Sequence, residues 1–290
     1  MFALSHNLGN RRRYERRTSM KTLRGRTLVH LLLVLVISLL TVTGCSGVSG
    51  APTIPPVETF VIPFEDFENN GTGGLVSFET GNQSNWNYAA GTVFTWGAIL
   101  VTTLAVPVAA FRASFHNTPV QQPDGSWIWS YSVNISGSVY TAKLHGQFIT
   151  EGVHWEMKIS KEGEYQDFLW YYGENKLPAT EGFWILKQSP AVPNDLVGIN
   201  WSRNISAGTY AVRYTNIIPG DSNNGGYIDT QYTKGVPYNH IWDLYNKVAD
   251  NHTYIEWSST TGEGRVKNSN HFGDDNWHCW NSTRTNVTCP

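Results

Sequence analysis

Between Ser126 and Trp280 the chain alternates apolar and polar residues over short runs, most of them carrying a tryptophan or tyrosine. In a strand, successive side chains point to opposite faces, so such alternation marks a strand buried on one side. Trp127, Trp129, Tyr131 and Val133 form one such stripe, and Tyr140, Ala142, Leu144 and Phe148 a second. Asn134-Ile135-Ser136-Gly137 joins them as a tight hairpin. Trp155, Met157 and Ile159 follow, then Phe168 and Trp170, Trp184 and Leu186, and Val197, Ile199 and Trp201. Tyr210, Val212 and Tyr214, Trp242 and Leu244, and Ile255 and Trp257 close the series. Turn composition separates the runs at 160–163, 219–225 and 261–264.

About ten strands at short intervals, with no long helical crossover, predict an all-β fold: an antiparallel meander over 126–280 forming a barrel, half-barrel or sandwich. The strand-tryptophan-turn theme is too irregular in spacing for a propeller or solenoid. One or two short helices are expected over 97–115, where Leu100, Leu104, Val108, Phe111 and Phe115 fall at helical spacing and Pro107 fits the first turn of a second piece. Val101, Thr102, Thr103 and Val106 are β-branched and keep a strand reading open there. No charged residue lies between Glu79 and Arg112, so this segment must be covered, and the inner face of the sheet is the surface that covers it.

The N-terminus changes the picture. Leu28 to Val42 is apolar, follows eight basic residues, and at 15 residues is short for a membrane span, which needs roughly 20. This is a secretory signal design over 1–45, with Met20 as an alternative start. Val42-Thr43-Gly44-Cys45 resembles the lipobox of bacterial lipoproteins. That resemblance implies a lipidated Cys45 at the mature N-terminus, a membrane partner through the anchor, and, with Ser46 next, a place at the outer membrane of a bacterial envelope. Several acyl chains at about 0.8 kcal/mol per buried CH₂ make such an anchor stable. The competing reading is an uncleaved signal anchor. A eukaryotic glycoprotein is its specific form, because Asn70, Asn82, Asn134, Asn204, Asn251, Asn281 and Asn286 all stand in Asn-x-Ser/Thr sequons. Residues 46–58, rich in Gly, Ser and Pro, read as a flexible tether, and 59–290 as a single β-rich domain.

Charge narrows the partners. The basic leader removed, 13 basic residues face 22 acidic ones, a net charge of −9, which excludes a nucleic-acid partner because phosphate binding needs a basic face. Cys279 and Cys289 are the cysteines beyond Cys45 and predict a disulfide in an oxidising compartment.

No serine-hydrolase, zincin, phosphate-loop or dinucleotide pattern occurs, and no catalytic residue, metal or cofactor is assigned. His271, Asp274, Asp275 and His278 are four possible metal ligands, but Gly273-Asp274-Asp275-Asn276 is ordinary turn composition. Glu156 and Glu256 are candidate glycosidase carboxylates, yet each adjoins a tryptophan, and an inward indole turns the glutamate to solvent. The acidic-aromatic run Phe64-Glu65-Asp66-Phe67-Glu68 reads as an exposed turn or strand edge.

The expected function is therefore a non-enzymatic envelope lipoprotein that binds an apolar ligand or a protein partner. In outline, an aromatic sheet covered by an uncharged helix is similar to the open-barrel LolA/LolB type, a likeness of architecture without a shared motif. The residues expected to face a lipid ligand are Leu100, Leu104, Phe111, Trp127, Trp129, Trp155, Trp170 and Trp201. A carbohydrate-binding surface protein is the alternative, carried by ring faces and by Tyr171, Tyr172, Tyr238 and Tyr245, whose direction the alternation leaves open. A hydrolase with an unrecognised site is the third reading.

Overall fold

The structure, a computed structural model, describes residues 50–61, 67 and 82–290, the side chains of 97–102 excepted. The chain divides into two units, Met1–Gly50 and Ala51–Pro290, and the second is the body described below. Cys45 and most of the acidic-aromatic run at 64–68 lie outside the described residues.

Among the described residues, fourteen strands form one antiparallel sheet in which every strand pairs with its sequence neighbours and the first and last do not pair with each other. They are β1 (Val120–Gln121), β2 (Trp127–Ile135), β3 (Ser138–Ile149), β4 (Gly152–Lys161), β5 (Tyr165–Lys176), β6 (Glu181–Lys187) and β7 (Asp195–Asn204). The meander continues through β8 (Thr209–Asn216), β9 (Tyr227–Tyr232), β10 (His240–Asn246), β11 (Asn251–Trp257), β12 (Gly264–Lys267), β13 (His278–Trp280) and β14 (Asn286–Val287). The meander is the predicted one, with β1, β9, β12, β13 and β14 added. Ser136 and Gly137 both take positive φ, the two-residue turn geometry that matches strand twist.

The inner face is a lattice of rings over glycines. In register, Gly146 lies opposite Trp155, Gly173 opposite Trp155 and Trp184, Gly182 opposite Trp201, and Gly264 opposite Trp257 and Trp280. A Cβ on Gly146 would stand 2.7 Å from the Trp155 ring, one on Gly173 2.6 Å from the Trp184 ring, and one on Gly182 2.7 Å from the Trp201 ring. The indoles lie flat in the space that side chains opposite them would fill. A strand glycine thus marks the close approach of a ring.

Periodicity fails inside β5. Met157 pairs with Tyr171 and Lys158 with Leu169, which leaves Trp170 as the extra residue of a β-bulge. Trp170 and Tyr171 are consequently both buried, and the inward register of β5 changes by one residue at the bulge.

One long helix, α1 (Ser84–Ser114, 31 residues), packs against β2 and β3 near one edge of the sheet and β12–β14 near the other. It contains the expected 97–115 segment up to Ser114 but begins 13 positions earlier and runs unbroken through Pro107. An interior proline forfeits one backbone hydrogen bond, here that of the Thr103 carbonyl, and Thr103 is exposed. The early start depends on distant residues. Gln83 makes no side-chain cap. Instead Asn85 N–H donates to Asn286 Oδ1 (3.1 Å), Asn286 Nδ2 to Ser84 Oγ (2.9 Å), and Asn85 Nδ2 to the Cys279 carbonyl (2.9 Å). Cys279 and Cys289 form the expected disulfide, Cα atoms 5.3 Å apart, which closes the strand pair carrying this cap.

Residues 51–58 belong to the body and not to a free tether. Pro52 and Pro55 are buried, and Pro52 approaches Gly146. A 3-10 turn at Val57–Thr59 then delivers Phe60, whose ring stacks on Phe111 at 4.6 Å and meets Tyr171 at 4.7 Å and Trp184 at 5.8 Å.

Candidate functional site

Most residues expected to face a ligand are packed. Leu104, Phe111, Trp129, Trp155, Trp170 and Trp201 are buried, and Trp127 is half-buried. Trp155 donates from Nε1 to Asn175 Oδ1 at 2.6 Å, and Phe111 is sandwiched by Phe60 and Trp184. Leu100 lies outside the described side chains. The helix and Phe60 thus occupy the inner face that an acyl chain would need. Of the four unsettled tyrosines, Tyr171 is core, while Tyr172, Tyr238 and Tyr245 are half-buried.

A groove of about 770 Å³ opens between the first half of α1, the β10–β11 turn and the short helix α2 (Ser269–Phe272). Tyr88, Thr92, Thr95 and Trp96 come from α1, Tyr245, Asn246, Asn251 and Thr253 from the hairpin, and Asn268 and His271 from α2 and its cap. Tyr88 stacks on His271 with ring centroids 3.6 Å apart, which joins α1 and α2 in one aromatic wall. Amides and hydroxyls surround it. Asn268 caps α2 by accepting from His271 N–H at 2.9 Å and donates from Nδ2 to Thr253 Oγ1 at 2.6 Å, which fixes two rim groups. Thr92 and Thr95 donate to the Tyr88 and Gly91 carbonyls. Among the described residues, no Asp, Glu, Lys or Arg lines the groove. Burial, with His278 nearby, holds the pKa of His271 below the usual imidazole value, so its ring is neutral at pH 7.

The other candidate chemistries come apart. His278 Nε2 meets Asp274 Oδ1 at 3.1 Å while His271 is spent on Tyr88, and among the described residues no group of three His, Cys, Asp or Glu side chains can hold a metal. Glu156 and Glu256 stand on the outer face, as their inward tryptophan neighbours require. Glu156 pairs with Lys158 at 2.9 Å, which with His154 lowers its pKa, and Glu256 pairs with Arg265 at 2.7 Å. Both are cross-linked surface charges.

Sequence reasoning passed over this groove because Ser84–Trp96 reads as an uncharged prelude to the helix. The usable signal was Asn85-Trp86-Asn87-Tyr88, rings interleaved with amides, a mixture a purely apolar core does not need.

No protein-family model, curated protein or solved structure matches the chain. Among the described residues no helix is long and apolar enough to cross a membrane.

Proposed function

We propose that the protein is a non-enzymatic binding protein of the bacterial cell envelope, anchored by lipid at Cys45 and taking a neutral carbohydrate in the groove between α1 and the β10–β11 hairpin. The observation that carries this reading is the lining of that groove: aromatic surface from Tyr88, Trp96, Tyr245 and His271, amides and hydroxyls around it, and no formal charge among the described residues. A sugar ring offers polarised C–H groups on its faces and hydroxyls at its edge. Aromatic faces carry the negative end of a quadrupole and attract the former, and Asn, Ser and Thr bond the latter as donors or acceptors. A charged ligand would need a countercharge. The groove's volume matches small-ligand sites, roughly 300–1,000 Å³.

The apolar-carrier reading loses its support on the inner face, where the rings nominated for it contact one another. A glycan array probed with the full chain carrying Cys45→Ala separates the two. Binding confined to neutral oligosaccharides, weakened by Trp96→Ala, supports the groove. Silence on the array, with acyl lipid co-purifying in native mass spectrometry, overturns it.

A further inference from the structure

In a neighbour-paired meander the turns fall alternately at two rims. At one rim, four successive hairpins carry an exposed aliphatic side chain at or next to their turns: Ile149 before the β3–β4 turn (42% exposed), Leu177 between β5 and β6 (50%), Ile205 between β7 and β8 (52%) and Val236 between β9 and β10 (93%). The opposite rim exposes Val139, Val192 and Val248. Charge distinguishes the rims. The turns of the first hold Asp124, Glu151 and Glu263 against Lys234 and Arg284, close to neutral. Those of the second hold six carboxylates against Lys247, two of them, Asp274 and Asp275, beside α2. An anionic bilayer surface repels the second rim and tolerates the first.

The path of the chain selects the same rim. Pro52 sits against Gly146, three residues from the end of β3 that leads into the Ile149 turn. Cys45 precedes Ala51 by six residues, an extended reach of about 20 Å. A lipid on Cys45 therefore keeps the attachment point near Ile149 and Leu177 within one short tether of the headgroups. A cleft of about 620 Å³ opens beside these tips, between Ile149, Lys176 and Trp201, and its Glu151, Glu174 and Glu181 against Lys176 give it both signs of charge.

We infer that the rim formed by Ile149, Leu177, Ile205 and Val236 is a bilayer-docking surface, which sets the body on the membrane with the α1–β10 groove turned toward the aqueous side. The inference rests on the anchor proposed above. Anchored aliphatic tips need only shallow insertion, because one lipid signal plus a second weak contact suffices for a fixed pose. The groove's Asn246, Asn251 and His271 belong to the other rim, so docking leaves it open.

The test uses the lipidated chain on phosphatidylethanolamine–phosphatidylglycerol vesicles, with an environment-sensitive NBD probe at Ile205→Cys or, at the other rim, Val248→Cys. Both positions are exposed turn sites, so neither variant disturbs the core. The expected result is flotation with the vesicles, blue-shifted emission at 205 that doxyl-labelled lipid quenches, and water-like unquenched emission at 248. Flotation with water-like emission at both positions, or a shift at 248 instead, overturns the docking surface while leaving the anchor intact. Failure to float overturns the anchor and the docking surface with it.

Discussion

Replacing Gly173 by alanine tests the ring-over-glycine packing where a ring and ladder backbone both close on the glycine. The new methyl would meet the Phe183 carbonyl of the adjoining strand and stand 2.6 Å from Cε3 of Trp184. Neither neighbour can retreat, because one is ladder backbone and the other is a buried indole wedged against Phe60, Phe111 and Tyr171. Overpacking of a well-filled core costs about 1–3 kcal/mol, and a clash with backbone places this site at the upper end, about 3 kcal/mol. For a body of this size each kcal/mol moves Tm by roughly 2–4 °C, so a fall of roughly 6–12 °C is expected. Gly198→Ala is the control. Its Cβ would find the nearest atom, Ile185 Cδ1, at 3.6 Å, an ordinary contact, and alanine there changes stability by under about 1 kcal/mol. Urea unfolding monitored by tryptophan fluorescence and near-UV circular dichroism reads both. If Gly173→Ala unfolds within about 0.5 kcal/mol of the parent, at the noise of surface substitutions, the indoles are not packed as described.

Further outcomes follow from the helix cap, the disulfide and the groove histidine. Asn286→Ala removes the acceptor of Asn85 N–H and the donor to Ser84, at about 1 kcal/mol, with faster hydrogen exchange at 84–88 and unchanged exchange at the far end of α1. Cys289→Ser opens the terminal loop and lowers stability by about 2–3 kcal/mol on the chain-entropy relation, read by urea unfolding with and without reductant. The parent and Cys289→Ser should coincide once reduced. His271 has a folded pKa below its unfolded value, so the unfolded chain binds the extra proton first. Stability from this group is complete above about pH 6.5 and is lost as pH falls through the folded pKa, a slope that His271→Gln should flatten in a Tm-versus-pH series.

The sheet was legible because each buried strand carries its own period, and Trp127 to Val133 or Trp155 to Ile159 can be read without knowing their neighbours. The turn residues Ser136-Gly137 and Pro219-Gly220 were equally local. What stayed hidden depends on distant contacts. The start of α1 is set by Asn286, about two hundred residues away, and β13 and β14 are too short to show a period. The bulge at Trp170 is a mismatch between two strands and has no signature in either alone. The groove was concealed for the same reason: Tyr88 and His271 become one wall only when α2 folds back on α1. The tryptophans nominated as ligand contacts are buried or half-buried, and the sequence does not show that Phe60 and Phe111 would stack on each other against Tyr171 and Trp184.

Isothermal titration of neutral oligosaccharides into the Cys45→Ala chain, repeated with Tyr88→Ala and Trp96→Ala combined, tests the central claim most directly. The account predicts saturable heat for at least one oligosaccharide, lost in the double variant while its unfolding midpoint stays above the titration temperature. Equal heats in both proteins, or none for any neutral glycan, would contradict it.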